Sequence, residues 1–127
     1  MKVMKFGGTS VGSIESLRNL RDIIKAETKP VLVVVSAMGG FTNQLLAMCE
    51  QAQQRDISCL ETLEAALKRH NDAVDGVVIE SMRDQVHKTI DRFIDDSLKP
   101  YYLALATNPR MPVEEIERLC DAIVAHG

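Results

Sequence analysis

Lys5-Phe6-Gly7-Gly8-Thr9-Ser10-Val11-Gly12 and Val31-Leu32-Val33-Val34-Val35-Ser36-Ala37-Met38-Gly39-Gly40-Phe41-Thr42-Asn43 decide the fold. Each sets a glycine pair directly behind a short apolar run and ahead of a segment with helical spacing. Val3, Met4 and Phe6, interleaved with Lys2 and Lys5, read as a short strand that Gly7 and Gly8 terminate. Val31 to Val35 is β-branched, unalternating and short, the pattern of a parallel strand buried on both faces. The expected architecture is therefore α/β, with strand, diglycine bend and helix occurring twice.

Working outward, Ser13 is the expected N-cap of a helix in which Ile14, Leu17, Leu20, Ile23 and Ile24 recur up to about Glu27, and Pro30 stops it. After Thr42 the helical period returns, with Leu45, Leu46, Cys49 and Ala52 on one face. Leu60, Leu63 and Leu67 form one further stripe, which Asp72 to Gly76 is expected to break. Ile79, Met82, Val86, Ile90, Phe93 and Ile94 form another. Tyr101 to Ala106 reads as either a third strand or a helix, its leucines and alanines favouring the helix. Asn108 to Pro112 is a loop. Pro112 and the acidic pair Glu114 and Glu115 suit the start of a last helix that turns Val113, Ile116, Leu119, Cys120 and Ile123 inward.

This makes roughly two thirds of the residues helical, about double the usual share, beside two clear strands. A strand like Val31 to Val35 needs neighbours on both edges and cover on both faces. The sheet is therefore expected to be incomplete and the natural polypeptide to continue.

The 127 residues suit one domain or part of one, and a 46% hydrophobic, 26% charged composition is that of an ordinary globular chain. Fifteen basic against eighteen acidic residues give a net charge of −3, with no basic stripe for nucleic acid. No apolar run approaches the roughly 18 to 20 residues of a membrane span. Glycines and hydroxyls at positions 7–10 interrupt any signal-peptide core, and a cytoplasmic location is expected. Cys49, Cys59 and Cys120 have neither a disulfide nor a zinc spacing and are expected to be reduced and structural. His70 continues the Leu60, Leu63, Leu67 stripe as a half-buried structural histidine. His87 and His126 are expected to be solvated, and Met82 to fill core. Asp91, Arg92, Asp95 and Asp96 read as an exposed helix face.

Ligands of parallel α/β sheets sit beyond the carboxyl ends of the strands, where both bends lie. Gly7 and Gly8 let backbone N–H groups approach an anion, and the helix that follows adds partial positive charge. Thr9, Ser10, Ser36, Thr42 and Asn43 add donors, and Lys5 a compact cation. The pattern is neither a P-loop nor a dinucleotide fingerprint. Residue types alone leave two readings, a pair of anion sites or plain tight turns with a solvated Lys5.

Lys5 to Gly12 resembles the amino-terminal signature of the aspartokinases, within the amino acid kinase superfamily. Ser36-Ala37-Met38-Gly39-Gly40 with Thr42-Asn43 resembles that family's second motif. Related kinases for acetylglutamate, glutamate, carbamate and UMP carry shorter variants of Lys-x-Gly-Gly, without Thr9-Ser10-Val11. The resemblance covers residues 1–127 in order, with its specific motifs before residue 44.

It implies a three-layer amino acid kinase-like fold with a mainly parallel sheet, present here as a truncated, helix-rich amino-terminal part of the catalytic domain. It implies ATP-dependent phosphorylation of the L-aspartate β-carboxylate, the first committed step toward lysine, threonine and methionine. Lys5 is the implied catalytic residue, contacting the ATP phosphates with Gly7, Gly8, Thr9 and Ser10. Ser36 and Thr42 are implied to hold aspartate. The family's pattern continues after His126-Gly127 with Glu-Arg. ATP is the implied co-substrate, with Mg2+ contacts outside this segment, and the parent enzyme is implied to be a homo-oligomer. The segment alone is expected to be inactive. The alternatives are another small-acid kinase of the superfamily, a non-catalytic anion-binding module, and a helical interaction domain.

Overall fold

The computed structural model describes residues 1–54, 58–108 and 110–126; Pro109 in the expected loop, the side chain of His126 and Gly127 lie outside what is described. Strand β1 (Lys2–Phe6) leads through the first bend to helix α1 (Ile14–Lys25), then to strand β2 (Val31–Val35). The second bend opens α2 (Phe41–Gln53), which is followed by α3 (Ser58–Val77), α4 (Glu80–Phe93), a π turn (Ile94–Leu98), α5 (Lys99–Thr107) and α6 (Val113–His126). No helix among the described residues is long and apolar enough to cross a membrane.

β1 and β2 pair in parallel, Lys2 opposite Val31 and Phe6 opposite Val35, and the ladder runs one step further through Ser36 N–H to the Phe6 carbonyl at 3.0 Å. Successive strand residues point to opposite faces. Phe6 and Val35 turn toward α1, sharing hollows with Leu20, whereas Lys5 and Val34 lie on the other face. The expectation of double burial fails on both faces: Val3, Leu32 and Val34 are exposed, and so is Val35 at 57% on the α1 side. The described part of the sheet has two strands, with α1 lying over part of one face.

α1 begins as expected. The Ser13 hydroxyl accepts from Ser16 N–H at 3.1 Å, meeting one of the donors that a helix start leaves free. The helix closes at Lys25, short of Glu27.

Asp72 to Gly76 does not break the third helix, which runs through to Val77. Its carboxyl end is held instead by arginines from both neighbours. Arg18 and Arg21 of α1 donate to the carbonyls of Gly76 at 2.9 Å and Val77 at 3.1 Å, and Arg83 of α4 to that of Val78 at 2.8 Å. Cations there oppose the negative end of the helix dipole. Gly76 is required by packing, since a β-carbon on it would stand 2.7 Å from Cγ2 of Ile14.

The core lies in the helical half. Leu45, Met48, Cys49 and Ala52 of α2 pack with Leu63 and Ala66 of α3, Ile94 and Leu98 of the π turn, Tyr102 and Leu105 of α5, and Ile123 of α6. Tyr101 to Ala106 is helical, and the fully buried Tyr102 donates its hydroxyl to the Leu45 carbonyl at 3.2 Å. The π turn precedes Pro100, which has no N–H and crowds the carbonyl four residues back. It lets Ile94 and Leu98 both turn inward. Cys49, Cys59 and Cys120 are reduced thiols outside any disulfide, the first two buried, as expected. Burial and a hydrogen bond with Cys120 push the Cys49 thiol up to about 12.

Several side-chain expectations differ, and Ile23 and Ile79, expected on the inward stripes of α1 and α4, are both exposed. Leu46, Met82 and Val113 are exposed, 69% for Val113, the first residue of α6. His87 is not free in solvent: its ring nitrogens face Asn71 Oδ1 at 2.6 Å and Asp75 Oδ1 at 2.7 Å, tying α4 to α3. Asp91, Arg92, Asp95 and Asp96 are exposed as expected.

Candidate functional site

Parallel pairing of β1 with β2 brings their carboxyl ends, and so both glycine pairs, to one end of the sheet. The two bends touch. A β-carbon on Gly39 would stand 3.1 Å from the Gly8 carbonyl oxygen and 3.8 Å from the Gly12 α-carbon. A β-carbon on Gly8 would meet the Ala37 carbonyl and the Gly39 α-carbon at 3.5 Å. The contact is tight at Gly39, where a side chain would crowd the Gly8 carbonyl, and ordinary at Gly8. The adjacency expected from residue types is therefore present in the fold.

Within the first bend, Ser10 N–H donates to the Gly7 carbonyl at 3.0 Å and Gly12 N–H to that of Thr9 at 3.3 Å. Gly7 faces open space, while Thr9 and Ser10 are exposed. Val11 is 4% exposed and anchors the loop under α1 and α3. The bend thus hangs its polar residues outward from one buried valine.

In the second bend Gly40 takes φ of 81°, a left-handed conformation costly for other residues. Phe41 N–H closes the turn onto the Met38 carbonyl at 2.9 Å. Phe41 is buried edge-on against His70, ring centres 4.8 Å apart, and this fixes the first turn of α2. His70 is also tied through Nδ1 to the Ala66 carbonyl at 2.7 Å, the half-buried structural role expected of it. Ser36 and Thr42 are exposed on either side of this bend.

Lys5 pairs in register with Val34 one step before the strand ends, is exposed, and among the described residues has no ion-pair partner. Among the described residues no group of three His, Cys, Asp or Glu side chains is placed to hold a metal ion. The bends carry backbone amides and hydroxyls, a set suited to an anion, and Lys5 stands two residues before the first of them.

One contributor had no clear signal in the sequence, and a second, Met38, stands there only as part of its motif. Arg69 of α3 donates from Nη2 to the Gly12 carbonyl at 2.9 Å, across a turn of chain that spacing alone does not relate to the bend. Met38 borders three adjoining hollows, of about 290, 310 and 340 Å3, along α3 and beside the bends.

Comparison with known proteins agrees with the geometry. The model of the "Amino acid kinase family" matches residues 1–126. The chain is 37% identical over 130 residues to the bifunctional aspartokinase/homoserine dehydrogenase 2, chloroplastic, of Arabidopsis thaliana, covering 98% of this chain and 13% of that protein. It is 52% identical over 52 residues to the aspartokinase of Rickettsia prowazekii (strain Madrid E), covering 39% of this chain and 12% of that protein. With the aspartokinase of Rickettsia felis it shares 44% over 69 residues, 51% of this chain and 17% of that one. The chain therefore spans less than a fifth of the length of these relatives.

Proposed function

The chain belongs to the amino acid kinase family, and from that premise we propose that residues 1–127 are the amino-terminal part of an aspartokinase catalytic domain. It carries the phosphate loop and part of the aspartate pocket for ATP-dependent formation of 4-phospho-L-aspartate. The observation that carries the reading is the crossing of Gly8 and Gly39, 3.1 Å from Gly8 O to the site of a Gly39 β-carbon. That contact puts an amide-lined bend from each strand end beside the other, where a triphosphate and a small acid can meet.

The chemistry asks little of the protein beyond this. A carboxylate with a reference pKa of about 3.9 is ionised at neutral pH, so the nucleophile needs no general base. The barrier lies in bringing an anion to a polyanion, which is positioning and electrostatics. In this reading Gly7, Gly8, Thr9 and Ser10 hold the phosphates, while Ser36 and Thr42 hold the aspartate. Lys5 neutralises charge as the phosphoryl group passes. Two unit charges about 4 Å apart interact by roughly 4 kcal/mol at an effective dielectric of 20, enough for one lysine to matter. Mg2+ would supply further neutralisation on the phosphates. The bends offer it hydroxyls but no carboxylates, so any carboxylate ligands would come from other parts of the enzyme.

Amide shifts of the labelled chain test this reading. Tripolyphosphate is expected to move Gly7 to Gly12, and L-aspartate Ser36 to Asn43. Shifts confined to residues 60–98 would favour a helical interaction surface and sink it. The chain alone is expected not to turn over; aspartyl hydroxamate trapped with hydroxylamine in the presence of ATP would overturn that expectation.

A further inference from the structure

We propose that Arg69 is a positioning residue for the first bend, setting the bend's affinity for a polyphosphate through its hydrogen bond to the Gly12 carbonyl. The proposal rests on the reading of that bend as a phosphate loop and adds a residue from a different element of the fold.

Gly12 is the last residue of the bend and stands directly before Ser13, whose hydroxyl caps α1. The orientation of its peptide unit therefore decides how the bend's amides are presented relative to the start of α1. Its own N–H is tied to the Thr9 carbonyl at 3.3 Å, and its α-carbon packs against Gly8 and Gly39. The Gly12 carbonyl remains, and Arg69 Nη2 holds it at 2.9 Å. Without that bond, the negative end of a carbonyl dipole would stand uncovered beside a site meant for an anion. A guanidinium placed on it both fixes the peptide and makes the local potential positive.

Neighbouring cations of α1 and α3, Arg18, Arg21 and Lys68, are committed elsewhere. Lys68 is bound to Asp72 at 2.6 Å, and Arg18 and Arg21 are bound to the carbonyl end of α3. Arg69 is half-buried and lines, with Gly12, Ser13 and Met38, the hollow of about 310 Å3 where α3 meets both bends. Its planar fork leaves N–H donors free after the Gly12 bond is made, whereas a lysine at this position keeps the charge without the fork.

The test is a tripolyphosphate titration of the labelled 127-residue chain, followed at the amides of Gly7 to Gly12, for the wild type, Arg69→Met and Arg69→Lys. Arg69→Met keeps the apolar stem. Loss of one charge-assisted hydrogen bond is expected to weaken binding about tenfold and flatten its salt dependence. Arg69→Lys is expected to recover part of the affinity and the salt dependence, which a purely structural role would not predict. The response of Ser36 to Asn43 to L-aspartate is expected to stay unchanged in both variants. Equal affinity in wild type and Arg69→Met overturns the assignment of Arg69 and leaves the phosphate loop standing. A wild-type chain whose Gly7 to Gly12 amides do not respond at all overturns both. If Arg69→Met unfolds, Arg69→Lys decides alone: wild-type affinity with an unmoved Gly12 amide overturns the proposal, and partial loss with a shifted Gly12 amide supports it.

Discussion

A β-carbon on Gly12 would stand 2.9 Å from the carbonyl oxygen of Gly8, so the two ends of the first bend are closed on each other with no room for a side chain. The obstacle is backbone, which cannot rotate away as a side-chain tip can. Gly12→Ala is expected to cost about 1–3 kcal/mol, as overpacked sites do, and to shift the amides of Gly8 and Gly39. Gly7 faces open space, and Gly7→Ala is expected to leave the denaturation midpoint nearly unchanged while weakening tripolyphosphate binding. Equal stability of the two variants would contradict the described crossing.

Gly76 and Ile14 make a second test of backbone packing, away from the bends. Gly76→Ala gains up to about 1 kcal/mol of helix propensity, yet its methyl would lie 2.7 Å from Ile14 Cγ2. A β-branched side chain in a helix has little freedom at χ1 to move aside. Net destabilisation of about 1 kcal/mol is expected for Gly76→Ala alone. In Ile14→Ala the same change is expected to stabilise. Urea unfolding of the four proteins gives the coupling, and additivity would show that α1 and α3 do not meet as described.

Cys49 makes stability sensitive to alkali. Its thiol is held neutral by burial first and then by the hydrogen bond with Cys120, with a folded value of about 12 against an ordinary 9.0. The unfolded chain thus releases a proton that the folded chain keeps once pH exceeds about 9. Stability is complete below that point and is lost as pH rises toward 12, by up to about 1.4 kcal/mol per pH unit. Burial pushes the Tyr102 hydroxyl up as well, steepening the loss above pH 10. Cys49→Ala is expected to be less stable at pH 7.5 and to show a shallower decline between pH 9 and 10. An unchanged slope would remove Cys49 as its source.

The parts of this fold legible in the sequence are those fixed by local chemistry. β-branching marks Val31 to Val35 as a strand, Ser13 marks a helix start, and paired glycines mark both bends. The arrangement that brings the bends together follows from the parallel rule and needs no long-range information. What spacing does not convey is set by contacts between distant segments. α3 continues past Asp72 because Arg18, Arg21 and Arg83 arrive to satisfy its last carbonyls. Tyr101 to Ala106 settles as a helix because the Tyr102 hydroxyl finds the Leu45 carbonyl. Arg69 reads as one more charged residue on a helix until Gly12 is seen beside it. The proposed site residues follow the same division: Gly7, Gly8 and Ser10 stand out in the motif, whereas the support behind them does not. The apolar face with Val3, Leu32 and Val34 matches the sequence expectation of an incomplete sheet.

Lys5 separates an electrostatic role from a solvated strand residue. It is exposed, has no ion-pair partner among the described residues, and precedes the glycine pair on β1. In a complete aspartokinase carrying this segment, Lys5→Ala is expected to lower kcat about 100- to 1,000-fold, the effect of removing about 3–4 kcal/mol of charge stabilisation from transfer. The KM for aspartate is expected to move much less, because the attacking carboxylate is held by Ser36 and Thr42 in the proposed pocket. Lys5→Arg retains charge but not the compact shape of an ammonium, so partial recovery of kcat is expected. Steady-state kinetics with ATP and L-aspartate varied in turn make the distinction. A wild-type kcat in Lys5→Ala would take Lys5 out of the chemistry, and an equal rise in both KM values with constant kcat would assign it to binding alone.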